Sequence, residues 1–138
     1  MAVRGLDAML AGLEPHLDPV AYVFCSAGEP EPAAVAAALA TFREAEGTSL
    51  ILPADAARRH GFDPDPRLRR ITLRVYSALD GVGLTAAVAQ ALARNEIACN
   101  VVAAFHHDHV FVPEVQAGRA LAILEALQRE VATEVGHG

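Results

Sequence analysis

Two short stretches of this chain carry residues spaced for chemistry. The first is Asp80-Gly81-Val82-Gly83-Leu84, set just ahead of an apolar pattern of helical period. Unbonded N–H groups at a helix start suit a carboxylate, and glycine lets it approach the backbone closely. Gly81, Val82, Gly83 and Leu84 would supply those amides, and Asp80 would accept from an ammonium. Asn100, on a neighbouring strand, both donates and accepts. A free amino acid carries that carboxylate and ammonium on one carbon. The same residues also have a purely structural reading, in which the glycines turn the chain and Asp80 caps the helix.

Gly81-Val82-Gly83-Leu84-Thr85-Ala86 additionally fits the G-x-G-x-x-A fingerprint of a dinucleotide-binding module. Two features argue against it. The region Asn100 to Phe105 has no acidic residue to hold a ribose, and the next two strands read as a hairpin instead of a parallel pair.

The second stretch is His106-His107-Asp108-His109. In extended chain His107 and His109 point the same way and could share a metal with Asp108, which would make a metal-dependent hydrolase the enzyme alternative. A closed site wants a fourth ligand, and a tight hairpin tip seldom converges three. The plainer reading is a polar turn in which Asp108 bonds local amides; between the two, His107, Asp108 and His109 are a secondary ligand or subunit contact. Cys25 and Cys99 each lie in apolar stretches and read as packed, inert thiols. No Ser-His-Asp order, P-loop, Cys-x-x-Cys or carboxylate pair stands out. The expectation is therefore a non-enzyme with no metal and no cofactor.

The elements that must position these residues follow from spacing. Leu6, Met9, Leu10 and Leu13 form a helical stripe stopped at Pro15, and Val20 to Ser26 reads as a strand. A helix is expected from the Pro30–Pro32 turn to Glu46, with Val35, Leu39 and Phe42 as its stripe and Gly47 as its stop. Ser49 to Pro53 reads as a strand, Ala54 to His60 as a short helix, and the Asp-Pro pairs at 63–66 as a linker.

Beyond it Ile71, Leu73 and Val75 alternate with Thr72, Arg74 and Tyr76, a half-buried strand whose polar face is left open. Leu84, Val88, Ala91 and Leu92 mark a helix, and Ile97 to Phe105 the next strand. Val110 to Val112 returns as a hairpin partner, and a last helix carries Ala120, Leu124, Leu127 and Val131. A final strand is missing, since residues 133–138 are short and polar; the N-terminal segment is the expected source of that sheet edge.

Composition narrows the class. All 11 basic residues are Arg, and the net charge is −6. Nucleic-acid binding needs a cationic footprint, and the local cluster Arg67, Arg69 and Arg70 lies beside neutralising Asp63 and Asp65, so it reads as solvated linker. No apolar run approaches the roughly 20 residues of a membrane helix, and Met1–Asp7 lacks a signal-peptide layout. The protein is expected in the cytoplasm, binding neither nucleic acid nor membrane.

In this strand, helix, strand, strand, helix order the turn sequences resemble those of ACT domains. Ser77 to Ala86 is similar to the family's loop and first helical turn, and Ile97-Ala98-Cys99-Asn100-Val101 to its second strand. Asn100 to Pro113, ending His-Asp-His-Val-Phe-Val-Pro, resembles a group of small bacterial tandem-ACT proteins, as does Arg43-Glu44-Ala45-Glu46-Gly47 ahead of Leu50-Ile51-Leu52. One departure is Tyr76, which stands where that group carries His.

The resemblance spans about Tyr22 to Leu127 and implies an α+β, ferredoxin-like (βαββαβ) ACT fold. It implies two ACT-like halves, 1–66 and 67–138, sharing an antiparallel sheet. It further implies a non-catalytic regulatory module that binds an amino acid at an ACT interface. A small sheet with an open face and edge strands seeks partners, so a homodimer is expected, with strand Ile71–Tyr76 and the helix from Leu84 as contact elements.

Overall fold

The computed structural model describes residues 5–75 and 82–137. The chain runs α1 (Leu6–Ala11), β1 (Pro15–Ala27), α2 (Pro32–Ala37), β2 (Ala40–Glu44), β3 (Gly47–Pro53), α3 (Ala54–Arg59) and β4 (Leu68–Leu73). It continues with α4 (Leu84–Ala93), β5 (Asn100–Ala103), β6 (Asp108–Pro113), a 3-10 turn (Glu114–Gln116) and α5 (Ala117–His137). It folds as two compact units, one of residues 19–69 and one joining the segments up to Asp18 and from Arg70 onward.

In the 19–69 unit the strand order is β2-β3-β1, antiparallel throughout. Val23 lies opposite Leu52, and Val23, Leu50 and Leu52 are buried against Ala34 of α2 and Ala54 and Ala57 of α3. Alanine suits these short helices because it lets their backbones approach the sheet. The expected helix to Glu46 is not what forms. α2 ends at Ala37, Leu39 donates its amide to the Ile51 carbonyl, and Thr41-Phe42-Arg43 becomes an edge strand turning back at Ala45-Glu46. The supposed stripe is left at the surface, Phe42 at 72% exposure. The i, i+3, i+4 spacing was real, but a stripe of only three apolar residues did not decide the element, and pairing with β3 did.

In the other unit the order is β1-β4-β6-β5, with β1 common to both sheets. Its core is Met9 and Leu13 from the N-terminal segment, Ile71 and Leu73 of β4, Val88 and Leu92 of α4, Val110 and Val112 of β6, and Leu124 of α5. The strand expected over Ile71 to Tyr76 is instead Leu68–Leu73, but Ile71, Leu73 and Val75 are buried as the alternation required, and the stripes of α4 and α5 follow their spacing. The N-terminal segment does supply the strand beside β4, beginning at Pro15 instead of Val20. The strand expected over Ile97 to Phe105 is only Asn100–Ala103; Ile97 is buried outside it and Phe105 is exposed. The fold is α+β and ferredoxin-like, two halves on a shared antiparallel sheet.

Candidate functional site

Of the loop residues singled out, Asp80 and Gly81 lie outside the described residues, as does Tyr76. Gly83 is the N-cap of α4 with φ +99°, left-handed backbone that disfavours any residue with a Cβ. Space agrees, since a Cβ there would stand 3.2 Å from the Leu6 side chain. The first intrahelical bond runs from the Ala87 amide to the Gly83 carbonyl, so the amides before Ala87 open the helix without an i−4 partner inside it. Val82 is exposed, while Leu84 is buried in the core and anchors the turn. Asn100 begins β5, exposed, opposite Phe111.

The expected hairpin forms, but Asp108 and His109 belong to β6 and not to the turn, with Ala103 opposite Asp108 and Val102 opposite His109. Their side chains reach further than a polar turn. His109 Nδ1 lies 3.0 Å from the Thr72 hydroxyl, and His107 Nδ1 is 3.4 Å from the Val75 carbonyl. Burial raises the Asp108 pKa, with the His107 charge pulling it back. Burial lowers that of His109, helped by the charges of Arg70 and His107. Among the described residues no three His, Cys, Asp or Glu side chains are grouped as metal ligands would be.

Three residues of this face were not anticipated. Thr72 is half-buried on His109, not open to water. Arg70, read above as solvated linker, belongs to β4, and its Nη2 donates to Asp18 of β1 at 2.8 Å. Their side chains keep only 22% and 12% exposure. The signal available was parity: Thr72 and Arg70 alternate with Ile71 and Leu73, and His109 with Val110 and Val112, so all three must face away from the core. What parity withholds is that β4 and β6 are neighbours.

Both cysteines are half-buried, and burial raises their thiol pKa, with Asp63 adding to the rise at Cys25. A raised pKa withholds the reactive thiolate. Two shallow hollows lie on the helical sides. One of about 130 Å³ is lined by Glu31, His60 and Phe62 among others, and one of about 240 Å³ by Arg94, Leu127 and Glu130 among others. Neither includes the α4 turn, Asn100 or the histidine hairpin.

Profiles of the ACT domain match residues 1–69 and 68–126. Among solved structures, a Vibrio cholerae protein described as of unknown function and a possible transport protein is 38% identical, with a TM-score of 0.80 over 89% of this chain and 95% of that one. An Agrobacterium tumefaciens protein is 20% identical, TM-score 0.62, over 83% and 87%. The regulatory subunit of aspartate kinase from Thermus flavus is 14% identical, TM-score 0.61, over 82% and 95%; these last two likenesses concern the fold alone. No curated protein matches the chain.

Proposed function

Since the chain belongs to the ACT-domain family and carries two such domains in tandem, we propose that it is a non-catalytic regulatory module binding a free amino acid at an ACT interface. The observation that carries this is the start of α4. Gly83 holds a left-handed turn beside exposed Val82, and the first amides of α4 have no i−4 carbonyl inside the helix, which suits a carboxylate. In this reading Gly81, Val82, Gly83 and Leu84 hold the carboxylate, Asp80 holds the ammonium, and Asn100 supplements them. His107, Asp108 and His109 are secondary contacts. The protein acts in the cytoplasm as a homodimer, without cofactor, metal, nucleic acid or membrane. Among the described residues no helix is long and apolar enough to cross a membrane.

A thermal-shift screen of the free amino acids tests the reading, with zinc and NAD as competing arms. A ligand at 100 times its Kd should add roughly 2.7 kcal/mol to the folded state. Asp80→Ala should abolish that shift while the unliganded Tm moves little. If Asp80→Ala costs about 1 kcal/mol of stability and leaves affinity unchanged, Asp80 is a cap and not a contact. Stabilisation by zinc, lost on chelation, would favour the hydrolase alternative, and stabilisation by NAD the dinucleotide one.

A further inference from the structure

α4 and α5 pack side by side, and one face of each borders the hollow of about 240 Å³. α4 and the turn after it bring Ala91, Arg94 and Asn95; α5 brings Ile123, Ala126, Leu127 and Glu130. Within each set the residues recur at three and four, the spacing that gathers side chains on one face of a helix. The hollow is therefore where two whole faces meet. Its floor is aliphatic, since Ala91 is buried and Ile123, Ala126 and Leu127 are half-buried. Its rim is charged, with exposed Arg94 at the end of α4 and exposed Glu130 on α5.

Opposite charges lining one hollow could close on each other, and here they do not. Among the described residues neither side chain makes an ion pair or a hydrogen bond. Asn95 is held in place by its own helix: its Nδ2 donates to the Ala91 carbonyl at 2.9 Å, which leaves Oδ1 to accept. The lining thus offers a guanidinium, a carboxylate, an amide oxygen and a hydrocarbon floor, all uncommitted.

The geometry points to a binding site for a free α-amino acid with an aliphatic side chain. A guanidinium takes a carboxylate through paired N–H donors. Glu130 and the Asn95 Oδ1 take an ammonium, and the floor takes the hydrocarbon. A zwitterion answers both charges at once, whereas a dicarboxylate would set one of its own against Glu130 and a diamine one against Arg94. Size agrees, because the volume lies below the roughly 300 Å³ at which pockets for drug-sized ligands begin. Gly83 and Arg94 stand at opposite ends of α4, so this site shares no residue with the turn discussed above and can fail or stand without it.

With both charges in water the site is weak. It is best read residue by residue, by NMR of the full chain at high concentrations of L-leucine. The amide signals of Asn95, Ile123 and Leu127 should move saturably. Arg94→Gln and Glu130→Gln, at exposed positions that leave the core intact, should each weaken leucine about threefold to fivefold, the scale of one exposed ion pair. 4-Methylpentanoate, without the ammonium, and 3-methylbutylamine, without the carboxylate, should lose as much. Asp80→Ala should leave these signals as responsive as before. Signals that move only over Val82 to Leu84 would overturn this inference and leave the proposed function standing; the reverse pattern would uphold this site alone. Full affinity in either variant, or equal binding of either analogue, would also overturn it.

Discussion

Asp18 and Arg70 are 52 residues apart in the chain and 2.8 Å apart in the fold. With 12% and 22% of their side chains exposed, they are a part-buried pair, and such a pair is costly to break from one side. Asp18→Asn leaves the guanidinium without its counter-charge and should lower unfolding stability by roughly 3 kcal/mol in urea denaturation. Asp18→Leu with Arg70→Met should recover most of that loss, because both desolvation penalties vanish together. A single variant within about 0.5 kcal/mol of wild type would mean that the pair is effectively solvated. The sequence displays neither partner. Arg70 sits next to Arg69 and just beyond the Asp-Pro run, surroundings that resemble solvated linker. A long-range pair leaves no periodic trace, whereas the α4 turn was legible because glycines mark it locally.

At the scale of elements, periodicity succeeded where a stripe was long and backed by core. α4 and α5 follow their apolar spacing, and β4 follows its alternation. It failed at α2, where a helical stripe only three residues strong competed with a hairpin. Gly47 is the residue that decides for the hairpin: its φ is +147°, and a Cβ there would lie 2.8 Å from the Ala27 carbonyl oxygen. Gly47→Ala should cost roughly 1–3 kcal/mol, the usual scale of strained backbone. The loss should appear as reduced exchange protection at β2 and β3. Unchanged protection would show that the hairpin does not depend on this close approach. Gly47 was expected to stop a helix, so the residue was noticed and its role was not.

At the scale of the molecule, the sheet orders change where a partner could add. β4, expected to be a contact element, lies between β1 and β6 and so could meet a partner only through its face; the terminal strands are β2 and β5. An edge strand offers a row of unpaired backbone groups, and β2 adds Phe42 at 72% exposure. Light scattering at high micromolar concentration should give the mass of a dimer, and Phe42→Thr should weaken it. A monomer mass in the wild type would remove the homodimer from the proposal.

The division of β1 between two units also bears on the order of events during synthesis. Residues 19–69 are contiguous, so everything that unit needs has been made once Arg69 leaves the ribosome. The other unit is different in kind. Met9, Leu10 and Leu13 are made well before Leu124, with which they share a core. Three apolar side chains must wait while the residues between them and Leu124 are produced, and the closure then spans that whole interval. Such long-range closure is slow. The newly made protein thus passes through a stage in which residues 19–69 are all present and the other core is half-supplied, a stage in which a neighbouring chain's α5 can compete with its own.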